Sequence, residues 1–217
     1  MTTKQELRKR LKSILRKKFE SSPAEEILRQ SESTSRNLLQ LSPVSSAGTI
    51  MLYIEMPWEF PVTAFFQTLL AQKPRILLIP WCDDDTLRPF PLISSDELAA
   101  SKKTIHELLD ERLAPGAFGI LEPKKELRRH FDFQFDPHRI DLLILPGLGF
   151  DPLCHRLGRG KGFYDRFSRQ LRKDVPLIGV GFDEQIVEIV PTEPHDRALD
   201  HVITPTRIFT HPPRQSR

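Results

Sequence analysis

The chain has 217 residues, 39% of them hydrophobic and 28% charged, with two cysteines and a formal net charge of +3. This is ordinary globular usage with enough apolar residues for one sizeable core, and two isolated cysteines, Cys82 and Cys154, exclude a disulfide framework or a CxxC-type metal cluster. No stretch approaches the roughly 20 consecutive apolar residues of a membrane span, and the N-terminus lacks a secretory apolar region, so a soluble protein of a reducing cytoplasm is expected.

Thr3 and Glu6 have capping-box spacing, and Leu7, Leu11, Ile14 and Leu15 recur at helical intervals, which predicts an amphipathic helix over 3–19. Its other face holds the chain's basic excess: Lys4, Arg8, Lys9, Arg10, Lys12, Arg16, Lys17 and Lys18. Such a run is either a solvated face or a surface for nucleic acid or an anionic ligand. A second helix is predicted from Ser22 as N-cap, Pro23 in the first turn and Glu25 as reciprocal cap, with Ile27, Leu28, Leu38 and Leu39 apolar up to Pro43.

Thr49 to Ile54, Arg75 to Ile79 and Ile140 to Leu145 are short, nearly continuous apolar runs, as strands covered on both faces require, and the last two stop at prolines. A helix is predicted over Val62 to Gln72, another over 161–172, and a strand over Pro176 to Phe182. The alternation predicts an α/β layered fold with a mostly parallel sheet, in which ligands bind beyond the carboxyl ends of the strands. The proline-punctuated stretch 87–137 reads as short strands and loops, and His211 to Arg217 as a fraying tail after one domain over 1–210.

The rule about strand ends directs attention past Leu145, to PGLGFD (146–151) and RLGRGKGFYD (156–165). Gly158, Gly160 and Gly162 let backbone N–H groups approach a ligand, while Arg156, Arg159 and Lys161 add donors suited to phosphate oxygens. A helix starting near Gly162 would add a dipole favouring an anion. The segment is not a P-loop, because Gly162 follows Lys161 where Ser or Thr would hold Mg2+. Asp165, about one helical turn past Lys161, could supply a hard oxygen ligand to that metal instead.

These two segments closely resemble the hallmark of the 5-formyltetrahydrofolate cyclo-ligase family. The resemblance extends to Lys4 and Arg8, Glu59, Phe118 to Pro123, and Pro191 to Asp200. It implies a three-layer α/β/α fold similar to ribose-5-phosphate isomerase. It also implies ATP as co-substrate and Mg2+, with ring closure driven by phosphorylation of the formyl oxygen. By the same resemblance Lys4, Arg8, Arg156, Leu157, Gly158, Arg159, Gly160, Lys161, Gly162, Phe163 and Tyr164 contact ATP. Asp165 and Asp196 lie at the metal, Glu59, Phe163 and Tyr164 contact the folate, and Lys161, Arg159 and Tyr164 carry the catalysis. Where the family often has glycine before the RLG segment, this chain has Cys154.

Among the remaining candidates, Asp200 is the alternative to Asp196 at the metal, and His195 and His201 read as surface chemistry and not as ligands. Glu59 lies between Pro57 and Pro61, which confine its backbone, and Trp58 either stacks on an aromatic ligand or caps the core. No Ser/His/Asp or Cys/His constellation is legible. The rival readings are another ATP-dependent phosphotransferase and a non-catalytic, RNA-associated module, the latter without an aromatic RNA-binding signature. A monomer with no membrane partner is expected.

Overall fold

The computed structural model describes residues 2–83, 86–116, 120–130, 135–193 and 196–212, with backbone alone at 129 and 130. Helix α1 (Lys4–Ser21) starts at a true capping box: the Thr3 hydroxyl accepts from the Glu6 N–H, and the Glu6 carboxylate accepts from the Thr3 N–H at 2.8 Å. Leu7, Leu11 and Leu15 are buried, whereas Lys9, Arg10, Lys12, Arg16 and Lys17 are exposed. Helix α2 (Ala24–Leu39) departs from expectation at its start. Pro23 is its N-cap and no side chain caps it, and the Ser22 N–H, the donor a reciprocal bond to Glu25 would need, closes α1 on the Lys18 carbonyl. Leu28 is exposed and so leaves the core.

The short α3 (Ser42–Ser46) leads into β1 (Thr49–Met51), then α4 (Thr63–Gln72), β2 (Ile76–Asp83) and β3 (Thr86–Ser94). Strand β2 runs through Pro80, where a stop was expected. It pairs with β1 over Ile76, Leu77 and Leu78 alone, so the missing Pro80 N–H falls where the strand has lost that neighbour, and Pro80 sits across from Pro89 on β3. The stretch expected to be short strands and loops also contains α5 (Ser95–Ser101) and α6 (Ile105–Arg112), each begun by a capping box, Ser94 with Glu97 and Thr104 with Glu107. Strands β4 (Leu113–Pro115) and β5 (Leu121–Pro123) pair antiparallel, and α7 (Lys125–His130) follows.

The rest of the chain supplies β6 (Leu142–Leu145), the small ribbon β7 (Gly149–Phe150) and β8 (Arg156–Leu157), α8 (Phe163–Ser168), β9 (Leu177–Val180), β10 (His201–Ile203) and β11 (Ile208–Thr210). Helix α8 has six residues against the twelve expected over 161–172. Residues 213–217 of the expected tail, together with Phe118, Gly119, Pro194 and His195, lie outside the described residues.

Among the described residues one seven-stranded sheet has the order β11-β10-β9-β6-β1-β2-β3. Its five central strands are parallel, and β11 and β3 flank them antiparallel. Alternate residues along each strand enter different cores. Ile50, Leu77, Leu142, Ile144 and Ile178 pack with Leu7, Leu11, Leu15 and Leu38 of α1 and α2 and with Phe65, Phe66 and Leu69 of α4. Met51, Leu78, Leu143, Leu145 and Leu177 pack with Phe150, Phe167, Leu171 and Val175. Burial on both faces explains the continuous apolar runs and makes an α/β/α layering, with the second face covered by short α8 and its flanking loops. Truncating a fully buried member such as Leu143 to Ala would cost about 2–5 kcal/mol.

Strand order reverses between β1 and β6. From β1 the chain winds outward through α4 to β2, and from β6 it winds the other way through α8 to β9. Such a switch point leaves a crevice beyond the strand carboxyl ends. Among the described residues no helix is long and apolar enough to cross a membrane.

Candidate active site

A cavity of about 520 Å3 occupies this switch point. It is walled by Tyr53, Ile54, Met56 and Glu59 after β1, Pro80, Trp81 and Cys82 at the end of β2, and Pro146 and Gly147 after β6. Every site residue expected from the sequence lines it: Lys4, Arg8, Glu59, Arg156, Leu157, Gly158, Arg159, Gly160, Lys161, Gly162, Phe163, Tyr164, Asp165 and Asp196. Sequence separation is bridged by the first turns of α1, from which Arg8 reaches Gly158 of the glycine-rich loop and Lys4 reaches Glu193 and Asp196.

The loop's backbone needs its glycines. Gly160 has φ +102° and Gly162, the N-cap of α8, φ +66°, both in the left-handed region that side chains strain to enter. Arg8 Nε donates to the Gly158 carbonyl at 2.9 Å, fastening α1 to the loop. Arg156 is inserted beneath it, its side chain 9% exposed, and donates to the Pro146 carbonyl at 3.1 Å and to Asp165 Oδ1 at 2.5 Å. Thus Lys4 and Arg8, half-buried, line the cavity, while Lys9, Arg10, Lys12, Arg16 and Lys17 are exposed and Lys18, its side chain 9% exposed, pairs with Glu184 at 2.6 Å.

Three further ion pairs cross the site. Arg159 Nε donates to Glu59 Oε1 at 2.7 Å, and the other Glu59 oxygen accepts from the Met56 N–H at 3.0 Å. Lys4 Nζ bridges Asp196 at 2.7 Å and Glu193 at 2.8 Å. Burial alone would lower the Lys4 pKa, but the hydrogen bonds to Asp196 and Glu193 outweigh it and raise the ammonium above its ordinary value. Burial, aided by the Glu59 charge and opposed by Arg156, pushes the Tyr164 phenol far above its ordinary range, so at neutral pH it is an O–H donor and not a base.

Asp200 lies elsewhere. Its Oδ2 accepts from the Leu177 N–H at 2.8 Å, tying β9 to the segment before β10, and it does not line the cavity. The Asp of PGLGFD is likewise structural: buried Asp151 accepts from the backbone of Leu153, His155 and Val190 and pairs with His155 Nδ1 at 3.0 Å. Cys154, standing where glycine was expected by resemblance, has φ +64°, the conformation glycine favours. Trp58 is exposed outside the cavity, with the Arg16 guanidinium 5.8 Å from its ring.

Among the described residues no group of three or more His, Cys, Asp or Glu side chains converges as a metal cage. Asp165 and Asp196 nevertheless offer hard carboxylate oxygens to a cavity rich in phosphate-type donors, and Mg2+ beside phosphates commonly takes one or two carboxylates and no more. The donor chemistry therefore fits that ion. Sequence reasoning missed Tyr53, Trp81, Cys82, Glu122 and Glu193 in the walls. Glu122 lay inside the middle segment of the resemblance without a role, and Trp81 follows directly on the Pro80 at which the strand was expected to stop.

A model of the 5-formyltetrahydrofolate cyclo-ligase family matches residues 1–205. The 5-formyltetrahydrofolate cyclo-ligase of Escherichia coli K12 is 30% identical over 174 residues, covering 79% of this chain and 86% of that protein. The enzyme of the same name from Mycolicibacterium smegmatis is 30% identical over 162 residues, covering 75% of this chain and 76% of its own. The solved structure of Aquifex aeolicus 5,10-methenyltetrahydrofolate synthetase superposes with a TM-score of 0.73 at 26% identity, over 100% of this chain and 95% of that one. With the glycine-rich loop, α1, Glu193 and Asp196 joined at a switch-point cavity, and a family match along nearly the full length, the chain belongs to the 5-formyltetrahydrofolate cyclo-ligase family.

Proposed function

We propose that this one cavity binds ATP and 5-formyltetrahydrofolate side by side and produces 5,10-methenyltetrahydrofolate, ADP and phosphate. The observation that carries the reading is the meeting of a cationic glycine loop with a carboxylate- and aromatic-lined wall at the switch point. The formyl oxygen attacks the γ-phosphorus as the bond to ADP breaks. Nitrogen 10 then attacks the phosphorylated carbon, the carbon–oxygen bond breaks, phosphate leaves, and nitrogen 10 loses its proton as the ring closes. No protein nucleophile takes part, so the side chains serve by orientation and charge compensation.

In this proposal Lys161, Arg159, Lys4, Arg8, Arg156 and the backbone of Leu157 to Gly162 hold the triphosphate. Tyr164, protonated, donates to an oxygen whose charge grows, and Phe163 and Tyr164 wall the folate. Glu59 accepts from the folate, and its pair with Arg159 joins the two ligands' territories. Asp165 and Asp196 would hold Mg2+, which when bound neutralises the charge developing on the phosphate oxygens. The proposal includes one catalytic domain over 1–210, a monomer, and action in the cytoplasm, in keeping with Cys82 and Cys154 as free thiols.

The test is product analysis of the purified protein with ATP, Mg2+ and 5-formyltetrahydrofolate. Equal amounts of ADP, phosphate and the methenyl chromophore are expected. A stable phosphorylated product would favour a kinase, and RNA binding without turnover would end the enzyme reading.

A further inference from the structure

The wall built from β2 and β5 carries a carboxylate without a role so far. The Glu122 side chain is 8% exposed, and its Oε2 accepts from Arg128 Nη2 at 2.8 Å. Arg128 is itself anchored, donating from Nε to the Pro123 carbonyl at 2.6 Å and lying 4.8 Å from the ring centroid of Trp81. Glu122 lines the cavity beside Trp81, Cys82, Leu87 and Ile120, and its second oxygen has no hydrogen-bond partner among the described residues. That oxygen opens onto the cavity, so a carboxylate fixed by Arg128 presents a free acceptor to whatever occupies the space. The backbone also makes room for it: a Cβ on Gly116 would fall 2.5 Å from Glu122 Cδ and Oε2.

We propose that Glu122 is a folate-recognition residue, its second oxygen accepting from the ring N–H and 2-amino group of the pterin, with Arg128 holding it in place. This rests on the function proposed above and identifies which wall reads the folate ring. A pterin presents adjacent N–H donors, which one carboxylate matches. Adenine presents ring-nitrogen acceptors beside its amino group, and a carboxylate repels those. The γ-phosphate, held at the cationic loop, has to meet the formyl oxygen carried by the pterin, which puts the flat ring toward the apolar wall of Trp81, Leu87 and Ile120.

Glu122→Gln keeps the shape and removes the charge. Its KM for 5-formyltetrahydrofolate should rise about 10- to 100-fold, the span of a charge-assisted hydrogen bond, while the KM for ATP and kcat stay within about twofold. The wild type should disfavour the 2-desamino analogue of the substrate by a similar factor, and Glu122→Gln should lose that preference. Gly116→Ala, which displaces the carboxylate without neutralising it, should give the same folate-selective loss and carries the test if Glu122→Gln does not fold. Fluorescence titration with 5-formyltetrahydrofolate in the absence of ATP reads the contact independently of turnover. Absent turnover with folate binding still weakened by both variants would sink the function and keep the contact. Unchanged folate affinity in the folded variants, or a selective rise in the ATP requirement, would overturn the role of Glu122.

Discussion

Removing Arg159 should destabilise the fold through Glu59. The Glu59 side chain is 8% exposed, and its one cationic partner in a described ion pair is Arg159 at 2.7 Å. A hydrogen bond to a charged group contributes about 1.5–3 kcal/mol, and an exposed ion pair about 0–1 kcal/mol. Because the Arg159 side chain is 35% exposed and partly screened, Arg159→Ala should cost about 1–2 kcal/mol, mostly from leaving the Glu59 carboxylate buried without a cation. In a Glu59→Gln background that penalty is gone, and the same change should cost under about 0.5 kcal/mol. Urea denaturation of the wild type, both single variants and the double variant measures the difference. Equal costs in the two backgrounds would refute the coupling. Since the pair joins the proposed nucleotide and folate groups, Arg159→Ala should also raise the requirement for both ligands and not for ATP alone.

Asp196→Asn should raise the Mg2+ concentration needed for turnover, and its partly exposed ion pair with Lys4 contributes no more than about 1 kcal/mol to stability. Asp200→Asn should instead lower stability and leave the Mg2+ titration unchanged, because its carboxylate serves the Leu177 N–H; the reverse pattern would return Asp200 to the metal site. Cys154→Gly should be more stable than Cys154→Ala by about 1 kcal/mol in thermal or urea melts, because alanine keeps the left-handed strain at φ +64° and glycine relieves it. Arg8→Ala should weaken ATP use more than Lys9→Ala, since Arg8 holds the Gly158 carbonyl while Lys9 is exposed; equal effects would reduce the helix to general charge.

Where one residue's chemistry and its neighbours agreed, the sequence was legible. Continuous apolar runs mark buried strands because both sheet faces are covered, and the glycine loop stood out because three glycines among cations suit few structures besides an anion site. Helices α5 and α6 were readable but overlooked: Ser94 with Glu97 and Thr104 with Glu107 repeat the spacing that identified α1, and the surrounding prolines drew the stretch toward loops. Other features depend on contacts no local pattern contains. The expected reciprocal cap of Ser22 with Glu25 lacks its donor because α1, ending directly before, claims the Ser22 N–H, and Pro80 stays in a strand because β1 has already parted from β2. The Arg159–Glu59 and Lys4–Asp196 pairs join residues far apart in the chain, which meet at the cavity where the strand order reverses between β1 and β6.

The central claim is that ATP is used to turn the formyl oxygen into a leaving group within this cavity. The direct measurement supplies 5-formyltetrahydrofolate labelled with heavy oxygen at the formyl position, with ATP and Mg2+, and follows the label by mass spectrometry during a single turnover. The account predicts that the label appears in inorganic phosphate, in step with ADP and the methenyl product. Label released into water, or unlabelled phosphate formed while the methenyl product accumulates, would contradict it.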